Sequence, residues 1–351
     1  MKYTFPPFID VHVHFRQNPA HGILVAKAAG FGYVVTMPNT NPPCDSVELV
    51  KSQIELPGSN ILPSACITKG RAGHEVADLE RLAEAGAVLF TDDGAYVADD
   101  KVMREAMTRA AKLKMCICEH AMDPIELRGG VIRDCALARK LNLPIISVET
   151  ETKAIKRDIN LCRETGCQLH IQHISTAAGV ELIREAQKEG LPVTAEATPH
   201  HLKFSCDELV ADDANFKMAP PLGNNEDRAE LRKAVKAGVL MFATDHAPHP
   251  ANTKDKGFLG SANGIIGLEA AIPVSYEVMV VEEGMSVDAW AKAWYEQPKS
   301  IIRNWRAGIS ARDTTIETVE PYEIDINSWK SDLRNCPYNG VKVSTKVCAS
   351  E

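Results

Sequence analysis

The feature that most constrains this chain is a strand–helix alternation that recurs eight times. Short apolar or β-branched runs fall near residues 8–14, 33–37, 61–67, 87–91, 115–120, 168–173, 191–197 and 239–245. Stretches with helical spacing lie between them, at about 20–31, 46–56, 75–85, 99–113, 128–140, 151–165, 177–189 and 226–237. Such alternation implies parallel strands, and eight units are the number that closes a (β/α)8 TIM-type barrel of α/β class. A length of 351 residues suits a barrel of this kind. After about residue 310 the alternation fades. The expected organisation is a barrel over 1–311 and a C-terminal tail over 312–351, with one or two short strands packed against it.

The ends of these strands carry the polar residues. The first reads FIDVHVHFR, and successive side chains of a strand alternate faces, so His12 and His14 point the same way. A bare pair of this kind is more often only polar. Here, however, Asp92-Asp93, His120, His173 and Asp245 close later strands. The C-terminal ends of barrel strands are where such enzymes place their chemistry.

Composition excludes several alternatives. With 45% hydrophobic and 25% charged residues the chain can bury a large core. A net charge of −8 and the absence of a basic block argue against nucleic acid and anionic membranes as partners. The opening MKYTFPPFID lacks the apolar core of a secretory signal, and no run of about eighteen apolar residues exists. Ten scattered cysteines without a C-x-x-C pair suggest reduced thiols, hence a cytoplasmic chain.

Four histidines and two aspartates without cysteine suit a catalytic zinc site with open positions. A divalent metal activates water and polarises a carbonyl, and a neighbouring carboxylate can carry the proton to a leaving nitrogen. Asp245, closing the eighth strand, is the best placed carboxylate for this. Arg16, two residues beyond the histidine pair, can grip a substrate carboxylate with its guanidinium fork. Asn39, at the next strand end, can assist. The residues indicate metal-assisted hydrolysis of a small anionic amide, or the reverse reaction.

The segments DVHVHFR, MPNTNPP, FTDDG, EH at 119–120, QHIST, TAEATPHHL and ATDHAPH, running in order from residue 8 to about 275, together resemble the dihydroorotases of the amidohydrolase superfamily. H-x-H points only to the superfamily, whereas MPNT-x-PP with DHAPH is much more specific. The resemblance implies zinc-dependent interconversion of N-carbamoyl-L-aspartate and dihydroorotate in pyrimidine synthesis. It implies His12, His14, His120, His173 and Asp245 as ligands of one or two zinc ions, with Asp245 also the proton carrier. Arg16, Asn39 and His249 are implied as substrate contacts. The strand pattern leaves Asp92 and Asp93 open, and the resemblance favours Asp93. Other cyclic-amide hydrolases, such as allantoinases and hydantoinases, usually keep a lysine on strand four. An inactive scaffold for aspartate transcarbamoylase would typically have lost metal ligands.

Four departures from the resembled pattern stand out. Strand four reads Leu89-Phe90-Thr91-Asp92-Asp93, so an aspartate replaces the lysine that many relatives carbamylate. Gln17 stands where an acid often follows the arginine. Ala219 and Gly223, in KMAPPLG, stand where relatives often carry a polar side chain and an arginine. Little or no accessory β-sandwich is expected, because the metal motif begins at residue 10. A homo-oligomer is expected, and Ala219, Gly223 and the missing sandwich suggest that the lone chain is a weak enzyme. Aspartate transcarbamoylase would strengthen it, unless Lys217 or the tail replaces the missing contacts.

Overall fold

A computed structural model describes residues 1–16, 18–303 and 311–348; Gln17 lies outside the described residues. Among the described residues ten strands form, β1 Lys2–Phe5, β2 Phe8–Val13, β3 Phe31–Thr36, β4 Ile61–Pro63, β5 Cys116–Glu119, β6 Gln168–Ile171, β7 Val193–Ala197, β8 Met241–Phe242, β9 Thr314–Glu323 and β10 Lys342–Val347. β2-β3-β4 and β5-β6-β7-β8 are parallel sheets, each crossover carrying helix.

Two junctions turn these sheets into a barrel. The run at 88–91 pairs on both sides without becoming a continuous strand. Ala65 N donates to Leu89 O at 3.1 Å, Phe90 N to Cys116 O at 3.0 Å and Cys118 N to Phe90 O at 2.8 Å. On the other side His14 N donates to His246 O at 2.8 Å, and the Asp10 carboxylate accepts from Thr244 N and Oγ1 at 3.0 and 2.5 Å. The first and eighth strands are thereby joined, and the expected barrel closes.

Side chains fill it in two layers. Ile9, Val11, Tyr33, Val35, Leu62, Cys116 and Met241 form the inner cluster. Phe8, Val34, Ile117, Leu169, Val193 and Phe242 pack outward against the helices. The β2–β3 register shifts between Asp10 and Val13. Because of that irregularity His12 and His14 join Ile9 and Val11 on the inner side, which strict alternation would not allow. The helix Val287–Lys299 lays Trp290 and Trp294, four residues apart, onto Phe8 and Phe242. Both indole N–H groups donate to Ser275 Oγ, so neither is buried unpaired.

Helix starts follow their capping residues: Ser46, Asp99 and Thr176 each accept from the first turn of the helix that follows. The helix expected over 128–140 is replaced by two short ones, Pro124–Leu127 and Ala136–Leu141. Gly129 adopts a left-handed φ, and a Cβ on Gly130 would lie 2.5 Å from Ile145 O. The backbone there leaves the helix to pair Ile132 with Ile145.

The tail forms the antiparallel sheet β1-β9-β10 with the N-terminal strand, Lys2 opposite Glu317 and Phe5 opposite Thr314. The ten-residue β9 is longer than the short strands expected from sequence. Ahead of β10 the tail also reaches the barrel top: Asn335 is buried and donates to Ala247 O at 3.1 Å and Gly264 O at 3.3 Å. No helix among the described residues is long and apolar enough to cross a membrane.

Candidate metal centre and active site

The strand ends bring all six metal-type side chains together. His12 Nε2 lies 3.2 Å from Asp93 Oδ1 and 3.4 Å from Asp245 Oδ1. His14 Nε2 lies 3.2 Å from Asp93 Oδ2 and 3.0 Å from Asp245 Oδ1. His120 Nδ1 and His173 Nε2 stand 3.6 and 3.9 Å from Asp93 Oδ1 and 2.9 Å from each other. Two triads able to hold a cation share His12, one with His14 and Asp245, the other with Asp93 and His173. The structure separates the adjacent aspartates. Asp92 turns away, accepting from Ile67 N at 2.9 Å, Thr68 N at 3.1 Å and the Thr68 hydroxyl. Asp93 faces the histidines.

The donor set fits a divalent metal. His12 Nε2 and Asp93 Oδ1 are buried without a hydrogen-bond partner, an arrangement costly unless something bridges them. Burial works against a charged His12, yet Asp93, Glu196 and Asp245 outweigh it and raise its pKa well above the usual value. The field that favours a proton there favours a divalent cation in its place. Burial, then His120, lowers the His173 pKa, keeping a neutral, metal-competent imidazole. Burial alone would raise the Asp93 and Asp245 carboxyls, but the surrounding histidines hold both below the ordinary range.

Partners behind the rings, one buried and one half-buried, orient them. Glu196 Oε1 lies 2.6 Å from His12 Nδ1, and its Oε2 lies 2.9 Å from His170 Nε2. Despite burial, His12 and His170 hold the Glu196 pKa at about 2, so its carboxylate accepts the Nδ1 proton and leaves His12 Nε2 facing the cluster. Asn39 Oδ1 does the same for His14, 2.8 Å from its Nδ1. Arg71 braces the turn that presents Asp93, donating to Asp93 O at 2.6 Å. Among the described residues seven non-glycines have positive φ. Lys114, Arg128 and Asn142 end helices. The other four, Arg16, Arg71, His173 and Asp245, belong to the site or hold it, and such strain of about 1–3 kcal/mol each concentrates at functional positions.

Above the cluster opens a cavity of about 420 Å³, lined by Arg16, Asn39, Tyr96, His120, Ala219 and Asn263 among others. The Arg16 guanidinium donates to Pro248 O and reaches within 3.4 Å of His249 Nε2. Burial and then Arg16 push the His249 pKa down to about 4, leaving a neutral ring at neutral pH. Ala219 does line the cavity, as the sequence suggested. Gly223 does not; a Cβ there would lie 2.6 Å from Ser175 O and from Asp227 Cβ. The Lys217 ammonium donates to Ser261 O at 2.6 Å and fills no gap in the cavity. His200 and His201 are buried behind the strand end, His201 Nε2 bonding Pro220 O at 3.1 Å.

Glu196, His170, Arg71 and Asn263 were not singled out from the sequence. Asp10 and Glu196 did leave a signal there, an acid in mid-strand two residues before a strand-end motif. Arg71 and Asn263 lie in loops and left none.

A parallel eight-stranded barrel with a histidine–carboxylate cluster at its C-terminal face defines a metal-dependent hydrolase of the amidohydrolase type. The Dihydro-orotase-like family profile matches residues 2–178. The chain is 40% identical over 314 residues to the dihydroorotase of Carboxydothermus hydrogenoformans, covering 86% of this chain and 73% of that protein. It is 38% identical over 352 residues to the dihydroorotase of Geobacillus kaustophilus, covering 95% and 82%. It belongs to the dihydroorotase family. Solved structures share the fold: L-hydantoinase from Arthrobacter aurescens has a TM-score of 0.83 at 22% identity, covering 99% of this chain and 83% of that one. Saccharomyces cerevisiae dihydroorotase in complex with 5-fluoroorotic acid has a TM-score of 0.77 at 19% identity, covering 99% and 98%.

Proposed function

We propose that the chain is a dihydroorotase, catalysing the reversible, zinc-dependent cyclisation of N-carbamoyl-L-aspartate to dihydroorotate. One observation carries this reading: a single cavity sets Arg16, which lies 3.4 Å from His249 Nε2, and Asn39 beside a buried histidine–carboxylate cluster. His12, His14, Asp93, His120, His173 and Asp245 would hold the metal, and the two triads suit one or two ions. Bound there, zinc supplies Lewis-acid polarisation of a carbonyl and activation of water. Arg16 and the free amide N–H groups of Asn39 hold the substrate carboxylate, with neutral His249 beside them. In ring opening Asp245 takes the proton of the attacking water and returns it to the ring nitrogen as its C–N bond breaks. In cyclisation it takes the ureido proton and delivers it to the departing water.

Two finer readings accompany this one. The rim segment 124–148 exposes Ile125, Leu141, Ile145 and Val148, while its Leu127 and Ile146 line the cavity. Cover over that face, from a second copy or from aspartate transcarbamoylase, would order the rim and strengthen a weak lone chain. Ten free cysteines, nine of them buried, suit a reducing cytoplasm. The test is loss of dihydroorotate absorbance with purified zinc-loaded protein, alone and with its own organism's transcarbamoylase, alongside sizing of the mixture. Turnover supports the activity; a rise in kcat/KM with co-elution supports the partner, and a fully active lone chain without co-elution removes it.

A further inference from the structure

The rim segment 124–148 is held from inside by a buried arginine, Arg133. Its Nη1 donates to Ile146 O at 3.1 Å and to Ser147 O, and its Nη2 donates to Ser175 Oγ at 3.0 Å. Glu151, also buried, lies 3.6 Å from the same Nη2 and accepts from Ser175 N at 2.8 Å and Ser175 Oγ at 3.0 Å. One guanidinium thus ties the returning half of the rim to the loop that follows β6, two residues beyond His173. The helix Glu149–Thr165, which carries Glu151, also holds the two neighbouring loops. Its Thr150 O accepts from Asp123 N at 2.8 Å, and its Arg157 donates to Val97 O at 2.8 Å. The loops that follow Asp93, His120 and His173 therefore share one support, and Arg133 fastens the rim to it.

Burying this charge costs free energy. Arg133 Nε has no hydrogen-bond partner among the described residues, and apolar side chains of similar volume often replace a buried ion pair without loss of stability. What the pair supplies is placement. Ile145, bridged to Ile132, is 38% exposed on the outside of the rim, whereas Ile146 is 4% exposed and lines the cavity. Neighbouring side chains of this extended backbone point opposite ways, so a slip of one residue would turn Ile146 out of the cavity. Holding the carbonyls of Ile146 and Ser147 on one guanidinium opposes that slip. We propose that Arg133 is a positioning residue for the reaction, which keeps Ile146 turned toward the bound substrate and the rim closed over it. This rests on the dihydroorotase reading of the site.

The test uses the zinc-loaded full chain, with acetohydroxamate as a zinc ligand small enough to sit on the metal alone. Arg133→Met should lower kcat/KM for dihydroorotate about 10- to 100-fold, the scale of an ångström-sized misplacement. The loss should be shared between kcat and KM, as expected when a covering segment opens, while zinc content and the acetohydroxamate Ki stay unchanged. Arg133→Lys keeps the charge beside Glu151 but lacks the fork that spans two carbonyls and Ser175, so its loss should be smaller. Ile146→Ala should also lower kcat/KM, and combining it with Arg133→Met should add little, because both changes act through one side chain. Should Arg133→Met not fold, Arg133→Lys with Ile146→Ala provides the same cycle. Unchanged kcat/KM in the Arg133 variants would overturn the proposal. Additive losses in the cycle, loss of zinc, or an equal weakening of acetohydroxamate would also overturn it, leaving Arg133 a structural residue only. A wild-type chain that neither opens dihydroorotate nor binds orotate would instead refute the dihydroorotase reading itself.

Discussion

The floor of the cavity and its wall are built on different principles. On the floor, side chains from separate strand ends converge, and partners behind the first two rings orient them, as Glu196 and Asn39 orient His12 and His14. On the wall, backbone carbonyls and amides from 217, 262–264 and 335 are pinned to one another by the Lys254 ammonium and the Asn335 amide. The floor fixes charge and ligand geometry. The wall fixes distance through its backbone. Damage to the floor should therefore appear in kcat and metal affinity, and damage to the wall in KM.

The largest effect should come from Asp245→Asn, which keeps the shape of the floor but removes the carboxylate proposed to carry the proton. Turnover should fall on the order of a hundredfold or more while zinc content holds, as measured by steady-state kinetics and metal analysis. Near-normal turnover would take Asp245 out of the mechanism. Next comes Glu196→Gln, which leaves His12 without its carboxylate acceptor. Zinc affinity should fall about 10- to 100-fold in competition with a chelator, typical of losing an outer-sphere partner. Unaltered affinity would mean that His12 is oriented by its ring packing alone.

Arg16→Lys stands at the boundary of the two regions. Losing the guanidinium fork should raise the KM for dihydroorotate about tenfold with a smaller change in kcat. An unmoved KM would point to another anion anchor. Lys254→Met, wholly within the wall, should raise KM by less and leave zinc affinity alone; a fall in zinc affinity would show that floor and wall are one unit.

The smallest effect separates the regions by pH. Burial, then Arg16, lowers the folded-state pKa of His249 to about 4 from 6.5, so the folded wall binds fewer protons than the unfolded chain between those values. Its contribution is intact above pH 6.5 and is lost as pH falls toward 4. Glu196, held at about 2 against an ordinary 4.5, loses its contribution only between pH 4.5 and 2. Hydrogen exchange should therefore show Gly264 and its neighbours opening near pH 5 while the β7 amides stay protected. Simultaneous opening would contradict the separation.

The same division explains what could be read in advance. The floor was legible because its residues sit at strand ends, where eightfold alternation tells both position and face. His12, His14, His120, His173 and Asp245 meet as the strand ends suggested. The choice between Asp92 and Asp93 was not legible, because it is settled by Thr68 and Ile67, some 25 residues away in sequence. The inward turn of both His12 and Val11 depends on a register shift that alternation cannot foresee. The wall was largely hidden. Its bonds are made by backbone groups, which carry no residue code, by Lys254, and by Asn335 from a tail 86 residues beyond His249. Gly129 and Gly130 did mark the break in the expected helix at 128–140, since two adjacent glycines weaken a helix interior.

The central claim is that the floor is a catalytic zinc centre acting on dihydroorotate. The most direct test follows dihydroorotate absorbance while zinc is titrated into the chelated, full-length chain. The account predicts turnover that rises from near zero and saturates at about one to two zinc ions per chain, as a catalytic site implies. Full zinc occupancy without turnover, or turnover indifferent to the chelator, would contradict it.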